Sequence, residues 1–247
     1  MVRWFKTSRL LCLAFVFVVS QGAAQTFPFA FWKTSGSAPP PLAIGDSSSN
    51  AMTSDATSQT WSINCPGSLR GVGLLFTYPD QADATQITSL TVGGTSCTRV
   101  GGARSELATW ISVEIWKLSA PASGSQTISV TYANSLHATG HAVSFTGANQ
   151  TTGNLTGTFA SAEGTGTAVS VNASSASGEI VVSINTAGAS TTFVANASQT
   201  RIAHITETVG STTGMSTFKA GSTTTTMSAT SSDGSDSWII GAVAFKP

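Results

Sequence analysis

Charge is scarce in this chain. Asp, Glu, Lys and Arg make up 9% of its 247 residues, with 11 basic side chains balanced by 11 acidic ones. So few Lys and Arg, spread without a basic run, give no electrostatic footprint for polyphosphate, which excludes nucleic acid as an expected partner. Cysteine is equally sparse: Cys12, Cys65 and Cys97 are the only three. Cysteines without neighbouring histidines lack the ligand set of a zinc site. H-E-x-x-H and G-x-S-x-G are both absent, which removes the two simplest signatures of metallopeptidase and serine hydrolase chemistry. No stretch sustains a helical period. The one long apolar run, Leu10 to Val19, is too short to cross a bilayer comfortably, and no second run follows it.

That run sits in a different context. Arg3, Lys6 and Arg9 surround its start, and "SQGAAQ" (Ser20 to Gln25) follows with small residues. This is the layout of a secretory signal, with cleavage expected after Ala24, so residues 1–24 are set aside from the fold. The chain is then expected outside the cytoplasm, secreted or at the cell surface, with no membrane span in its mature part. Without Arg3, Lys6 and Arg9, 8 basic side chains face 11 acidic ones. Cys65 and Cys97 remain, and in an oxidising compartment a pair suggests one disulfide. In the chain-entropy view it would contribute about 3–4 kcal/mol. The alternative is two separate buried thiols.

Ser and Thr take the place of charge on the expected exterior. Residues 25–57, rich in Ser, Pro, Ala and Gly, read as an extended arm, with a short strand at Phe27 to Lys33. From Ser58 onward, short Val-, Ile- and Thr-rich runs alternate with Gly, Pro, Asn, Asp and Ser. The candidates are Thr60–Asn64, Gly71–Tyr78, Ile87–Val92, Cys97–Val100, Ala108–Leu118, Gln126–Tyr132 and His141–Thr146. After these come Ala168–Ala173, Glu179–Ile184, Phe193–Ala197, Arg201–Glu207, Thr223–Ala229 and Trp238–Phe245. The expected class is all-β: a two-sheet antiparallel sandwich over 58–247, jelly-roll-like.

An internal echo suggests two quasi-repeated halves. "GSQTISVTYANSLHATGHAVSFTGAN" (Gly124 to Asn149) resembles "GSTTTTMSATSSDGSDSWIIGAVAFKP" (Gly221 to Pro247). "RGVGLLFTY" (Arg70 to Tyr78) is loosely matched by "SGEIVVSIN" (Ser177 to Asn185). Pairing of the two halves within one sandwich accounts for this echo; so does convergent strand chemistry.

The ordered series "ITSLTVGGTSCTRVGG", "VEIWKLSAPASGSQTISVTY", "AVSFTGANQTT", "SGEIVVSI" and "WIIGAVAFKP" resembles a broad group of bacterial secreted and cell-surface β-sandwich modules. The resemblance covers most of 58–247. Its motifs are structural, so it implies a fold and an address and carries over no catalytic residue.

Within the strand expected at Ala108–Leu118, alternation puts Trp110, Ser112, Glu114 and Trp116 on one face and Ile111, Val113 and Ile115 on the other. If the second face is core, the first offers two indoles around a carboxylate, a set suited to stacking on sugar rings and accepting hydroxyl hydrogen bonds. The alternative is a buried Trp116 with Glu114 paired to Arg99 or Arg104. Glycoside hydrolysis needs two facing carboxylates, and no motif nominates a second. His137 and His141 read as exposed loop histidines. Asp233 and Asp236 in "SSDGSDSW" are oxygen ligands suited to Ca²⁺ if the loop is more than a common turn; no other cofactor is expected.

The function this implies is a non-catalytic, exported β-sandwich with a structural, adhesive or assembly role, its partner a glycan or a surface protein. A carbohydrate-binding module using Trp110, Glu114 and Trp116 is the second reading, and a polysaccharide-active enzyme the third.

Overall fold

The computed structural model describes residues 40–79, 85–107, 111–188, 191–206 and 212–247. The strand expected at Phe27 to Lys33 and the secretory signal lie outside these residues. The described residues contain no helix; every regular element is a strand, and every strand pair is antiparallel.

The first half begins with β1 (Ala43–Ala51), β2 (Ala56–Cys65), β3 (Gly71–Pro79), β4 (Ile87–Val92) and β5 (Thr95–Ser96). It continues with β6 (Thr98–Ser105), β7 (Ile111–Ser119), β8 (Gly124–Leu136) and β9 (Thr139–Thr146). The second half holds β10 (Ala160–Thr165), β11 (Ala168–Ser174), β12 (Ile180–Gly188) and β13 (Phe193–Ala195). It ends with β14 (Thr200–Thr206), β15 (Thr212–Ala220), β16 (Thr224–Ser231) and β17 (Ser237–Phe245).

In the first half an inner sheet, β1-β9-β3-β7-β6, packs on an outer sheet, β2-β8-β4-β5. The chain passes back and forth between the two, which is jelly-roll connectivity. The second half repeats the order, with no counterpart of β5 among its described residues: inner sheet β10-β17-β12-β15-β14 and outer sheet β11-β16-β13. Each half is therefore its own antiparallel sandwich, and the described residues form four sheets, two in each half. The echoes in the sequence align β8–β9 with β16–β17 and β3 with β12. A further echo appears only with the register: "TRV" at Thr98 and "TRI" at Thr200 start equivalent strands, each irregular just after its arginine.

The halves meet through their inner sheets. Leu75, Val113, Ile115 and Val143 face Val182, Ile184, Ile239 and Val243 across a central core. Phe145 and Phe245 stack there, centroids 4.4 Å apart at 22°. Phe145 pairs with Gly71 on β3, and Phe245 with the equivalent Ile180 on β12, so each ring meets its own counterpart. β1 runs beside β14 and β10 beside β6 in the same reciprocal fashion. This is the isologous pattern of a two-fold contact, here within one chain. A Cβ on Gly73 would lie 2.7 Å from the Phe245 ring, so glycine is what lets that ring approach β3.

Stacking four sheets buries both faces of the inner ones. β3, β9, β12 and β17 are buried almost throughout, which is why they read as continuous apolar runs. The outer strands alternate buried and exposed, as in Ala168–Ser174.

Several elements escaped the sequence pattern. Residues 43–51, expected in an extended arm, form β1, an edge strand registered on β9 from Ala43↔Thr146 to Ala51↔Thr139. β10 and β15 were likewise unmarked. "AIGDSSSNA" and "ASAEGT" carry almost no apolar alternation, and "TTGMSTFKA" has Gly214 at its centre; backbone pairing to a neighbour makes each a strand.

The expected disulfide is not formed; Cys65 and Cys97 are free thiols. Cys65 ends β2, one edge of the outer sheet, opposite Gly124 on β8. Cys97 extends β5, its N–H bonded to the Leu90 carbonyl of β4 at 2.9 Å. Three interstrand steps, about 14 Å, separate the two strands, already twice the Cα separation of roughly 7 Å a disulfide permits, and Cys65 lies further along β2 than Gln59, which is level with Cys97. Burial raises both thiols, Cys97 to about 12. Unreduced protein unfolded in urea is expected to alkylate at both positions, and native protein to react slowly at each. Mass spectrometry of the labelled peptides reads this directly; a Cys65–Cys97 cross-linked peptide would contradict it.

Candidate functional site

Glu114 lies at the middle of β7, opposite Phe76 on β3 and Gly102 on β6. Its neighbours Val113 and Ile115 enter the central core, so alternation sends Glu114 toward the outer sheet. The face it shares with Ser112 and Trp116 is not an open surface, because β2-β8-β4-β5 covers it. Glu114 has no solvent exposure at all.

Four donors surround the carboxylate. Oε1 accepts from the Tyr78 hydroxyl at 2.5 Å and from the Gln86 N–H at 2.9 Å. Oε2 accepts from Arg99 Nε at 3.1 Å and from Trp116 Nε1 at 2.7 Å. Residues from β3, β6 and β7, and from the segment entering β4, thus converge on one side chain. A carboxylate buried without such donors would cost several kcal/mol; here Arg99 supplies the opposing charge and the other three fill the remaining lone pairs. Arg99 reaches back because position 102 is glycine: a Cβ there would lie 2.5 Å from its Nη2. Burial, then the charge and hydrogen bond of Glu114, hold the Tyr78 phenol far above its usual range.

Of the residues nominated from sequence as a sugar platform, Glu114 and Trp116 are together but turned inward, and Trp110 lies outside the described residues. Arg99, not Arg104, is the partner; Arg104 Nη1 instead lies 3.9 Å from the exposed Glu106. Tyr78 and Gln86 carried no local signal, since their role depends on β3 and the approach to β4 flanking β7. The second half lacks the cluster. Register places Met215 where Glu114 stands and Ala187 where Tyr78 stands, although Arg201 matches Arg99.

The histidines divide. His137, between β8 and β9, fits the loop reading, with Nδ1 2.8 Å from Asp55 Oδ1. His141 does not: it is within β9, fully buried between the inner sheets. Its Nδ1 lies 2.8 Å from Ser216 Oγ of the other half and its Nε2 3.1 Å from Thr139 Oγ1. Thr139 in turn bonds Thr77 at 2.8 Å. Burial, with His204 adding to it, lowers His141 to about 3, so the ring is neutral at ordinary pH.

Asp233 closes a turn, its Oδ1 accepting from the N–H and hydroxyl of Ser235 at 2.8 and 2.7 Å; these bonds hold it below the usual carboxylate range. Asp236 Oδ2 accepts from the Thr191 hydroxyl at 3.3 Å. The two belong to a turn, and among the described residues no group of three or more His, Cys, Asp or Glu is placed to hold a metal. A surface depression of about 370 Å³ lies beside the β1–β2 connection, lined by Met52, Ser54, Ala56 and Gln59 among others. It holds no ionisable side chain. Among the described residues no helix is long and apolar enough to cross a membrane.

No family model matches the chain, and neither the curated proteins nor the solved structures yield a match.

Proposed function

We propose that this protein is a non-catalytic β-sandwich of the cell exterior, with a structural, adhesive or assembly role. One observation carries the reading: its reactive side chains are spent on the interior. Glu114 and His141, the groups with the most unusual surroundings, are buried and satisfied by partners within the chain. The outer strands instead meet solvent with Ser and Thr. The leader-like first 24 residues and the resemblance to secreted bacterial modules support the address. Jelly rolls serve as both capsid and lectin domains, so the architecture suits structural and binding roles alike without choosing between them.

The carbohydrate reading draws less support. The described tryptophans pack inward: Trp61 against Gly140, Trp238 against Gly164, and Trp116 onto Glu114. A glycan array with the secreted protein, a reducing-end assay on neutral and acidic polysaccharides, and light scattering across concentration test the proposal together. Surface attachment or assembly without release of reducing ends is the expected outcome. Cleavage of any polysaccharide by the purified chain would overturn it.

A further inference from the structure

Lys117 is a buried lysine, 8% exposed. On β7 it follows Val113 and Ile115 along the face turned to the central core. Its Nζ donates to Thr156 Oγ1 at 3.0 Å. Thr156 is itself buried, lies in the segment that joins the halves, and bridges to Phe245 at the end of β17. Lys246 comes next in the chain, its N–H bonded to the Leu155 carbonyl at 2.9 Å. Two amines and a hydroxyl are thus gathered at one end of the seam between the halves. Lys246 is near enough to oppose the charge on Lys117, which burial already disfavours.

The cluster has donors to spare. An ammonium carries three N–H groups and a hydroxyl one O–H. Lys117 gives one N–H to Thr156, and Thr156, having accepted it, keeps its own proton for another acceptor. The Lys246 side chain makes no hydrogen bond within the described protein. Among the described residues neither lysine has an ion-pair partner. Glu179, which lines a depression of about 250 Å³ with Lys246, commits its Oε2 to the Ala176 N–H at 2.9 Å. A buried charge left without a counter-charge is costly, and packing alone asks for no cation here. Register places Phe218 in the seat equivalent to Lys117, and Thr146 in that of Lys246. The pair therefore belongs to one end of the molecule and not to the duplicated framework.

We infer that this cluster binds a tetrahedral oxyanion, sulfate or phosphate, which accepts from Lys117, Thr156 and Lys246 and ties β7 to the second half. A dianion matches two ammonium charges, and its several oxygens match the unused donors. Ser119, the next residue on the same face of β7, shares a hydrogen bond of 2.8 Å with Thr152, and this exposed pair marks the side open to solvent. A free ion and a sulfated or phosphorylated glycan present the same group to the cluster.

Calorimetric titration of the full chain with sodium sulfate, sodium phosphate and dextran sulfate, at fixed chloride, tests this. Saturable binding of at least one of the three is expected. Lys117→Met and Lys246→Met are each expected to weaken it about tenfold or more, the loss of one charge-assisted hydrogen bond. Lys219→Met, which removes a lysine of β15 outside the cluster, is expected to leave it unchanged. Binding of the inorganic salts supports a free ion as ligand; binding of dextran sulfate alone, lost in the Lys117 variant, supports the group carried on a glycan. Lys246 lies past the end of β17, so its variant gives a reading even if Lys117→Met fails to fold. No saturable binding by folded wild type would overturn the inference, as would full affinity in a folded variant of either lysine.

Discussion

Glu114→Gln is expected to lower the free energy of unfolding by about 2–4 kcal/mol. Removing one member of a buried ion pair typically costs about 3–5 kcal/mol; the Arg99 side chain keeps 33% of its surface in water, which reduces the part due to stranded charge. The amide brings a second fault. It has one acceptor oxygen where the carboxylate has two, so its NH₂ must face either the Tyr78 and Gln86 donors or those of Arg99 and Trp116. The second half suggests the contrasting variant. Glu114→Met with Tyr78→Phe and Arg99→Met copies the apolar character found at Met215 and removes both the hydroxyl and the charge that Glu114 would otherwise leave without a partner. Apolar replacement of a whole buried ion pair is often close to neutral, so this triple variant is expected to be more stable than Glu114→Gln. Urea unfolding of the three proteins measures it. A Glu114→Gln variant as stable as wild type would mean that the four hydrogen bonds contribute no net stability.

Acid is expected to destabilise the protein through His141 well before most carboxylates titrate. The native value is about 3 against roughly 6.5 in an unfolded chain. Above pH 6.5 both states hold a neutral ring, and this stability is fully present. Below it the unfolded chain takes a proton that the buried ring refuses, so stability falls with pH until the native value is reached. The whole loss is on the order of 4–5 kcal/mol, with about 3 kcal/mol of it between pH 7 and pH 4. His204, also lowered by burial, adds in the same direction. His141→Gln cannot titrate. It is expected to be less stable than wild type at pH 7, where it disturbs the contacts to Ser216 and Thr139, but to lose less on going to pH 4. The quantity to compare is the change between the two pH values, by urea unfolding at each. Equal changes in both proteins would show that His141 binds its proton as readily folded as unfolded.

Much of the architecture was legible along the chain because strand formation leaves local marks. Alternation exposed β2, β8, β11 and β16, whose outward residues are Ser, Thr and Asn. Continuous apolar runs exposed β3 and β17, and turn residues marked most of the ends. The two echoes fall on strands that hold equivalent places in the two halves. What such marks cannot carry is which strand lies beside which, because pairing joins residues far apart, as Ser58 joins Thr131 and Ala43 joins Thr146. β1 and β15 are strands by virtue of their neighbours, and no residue pattern announces them.

The same limit governs the site. A period of two divides β7 into two faces, with Glu114 and Trp116 on one and Val113 and Ile115 on the other, and the sequence determined that division by itself. It did not say what covers each face. An ordinary two-sheet sandwich leaves one face of each sheet wet, and had that been the Glu114 face, Glu114 would be a surface carboxylate beside an indole. Only the tertiary structure, by closing the first outer sheet over one face and the second half over the other, turned that carboxylate into a buried anchor. The same closure put His141 in a dry interface and set Cys65 and Cys97 three strands apart. Burial and separation are properties of packed layers, and a chain read in order contains the faces but not the layers.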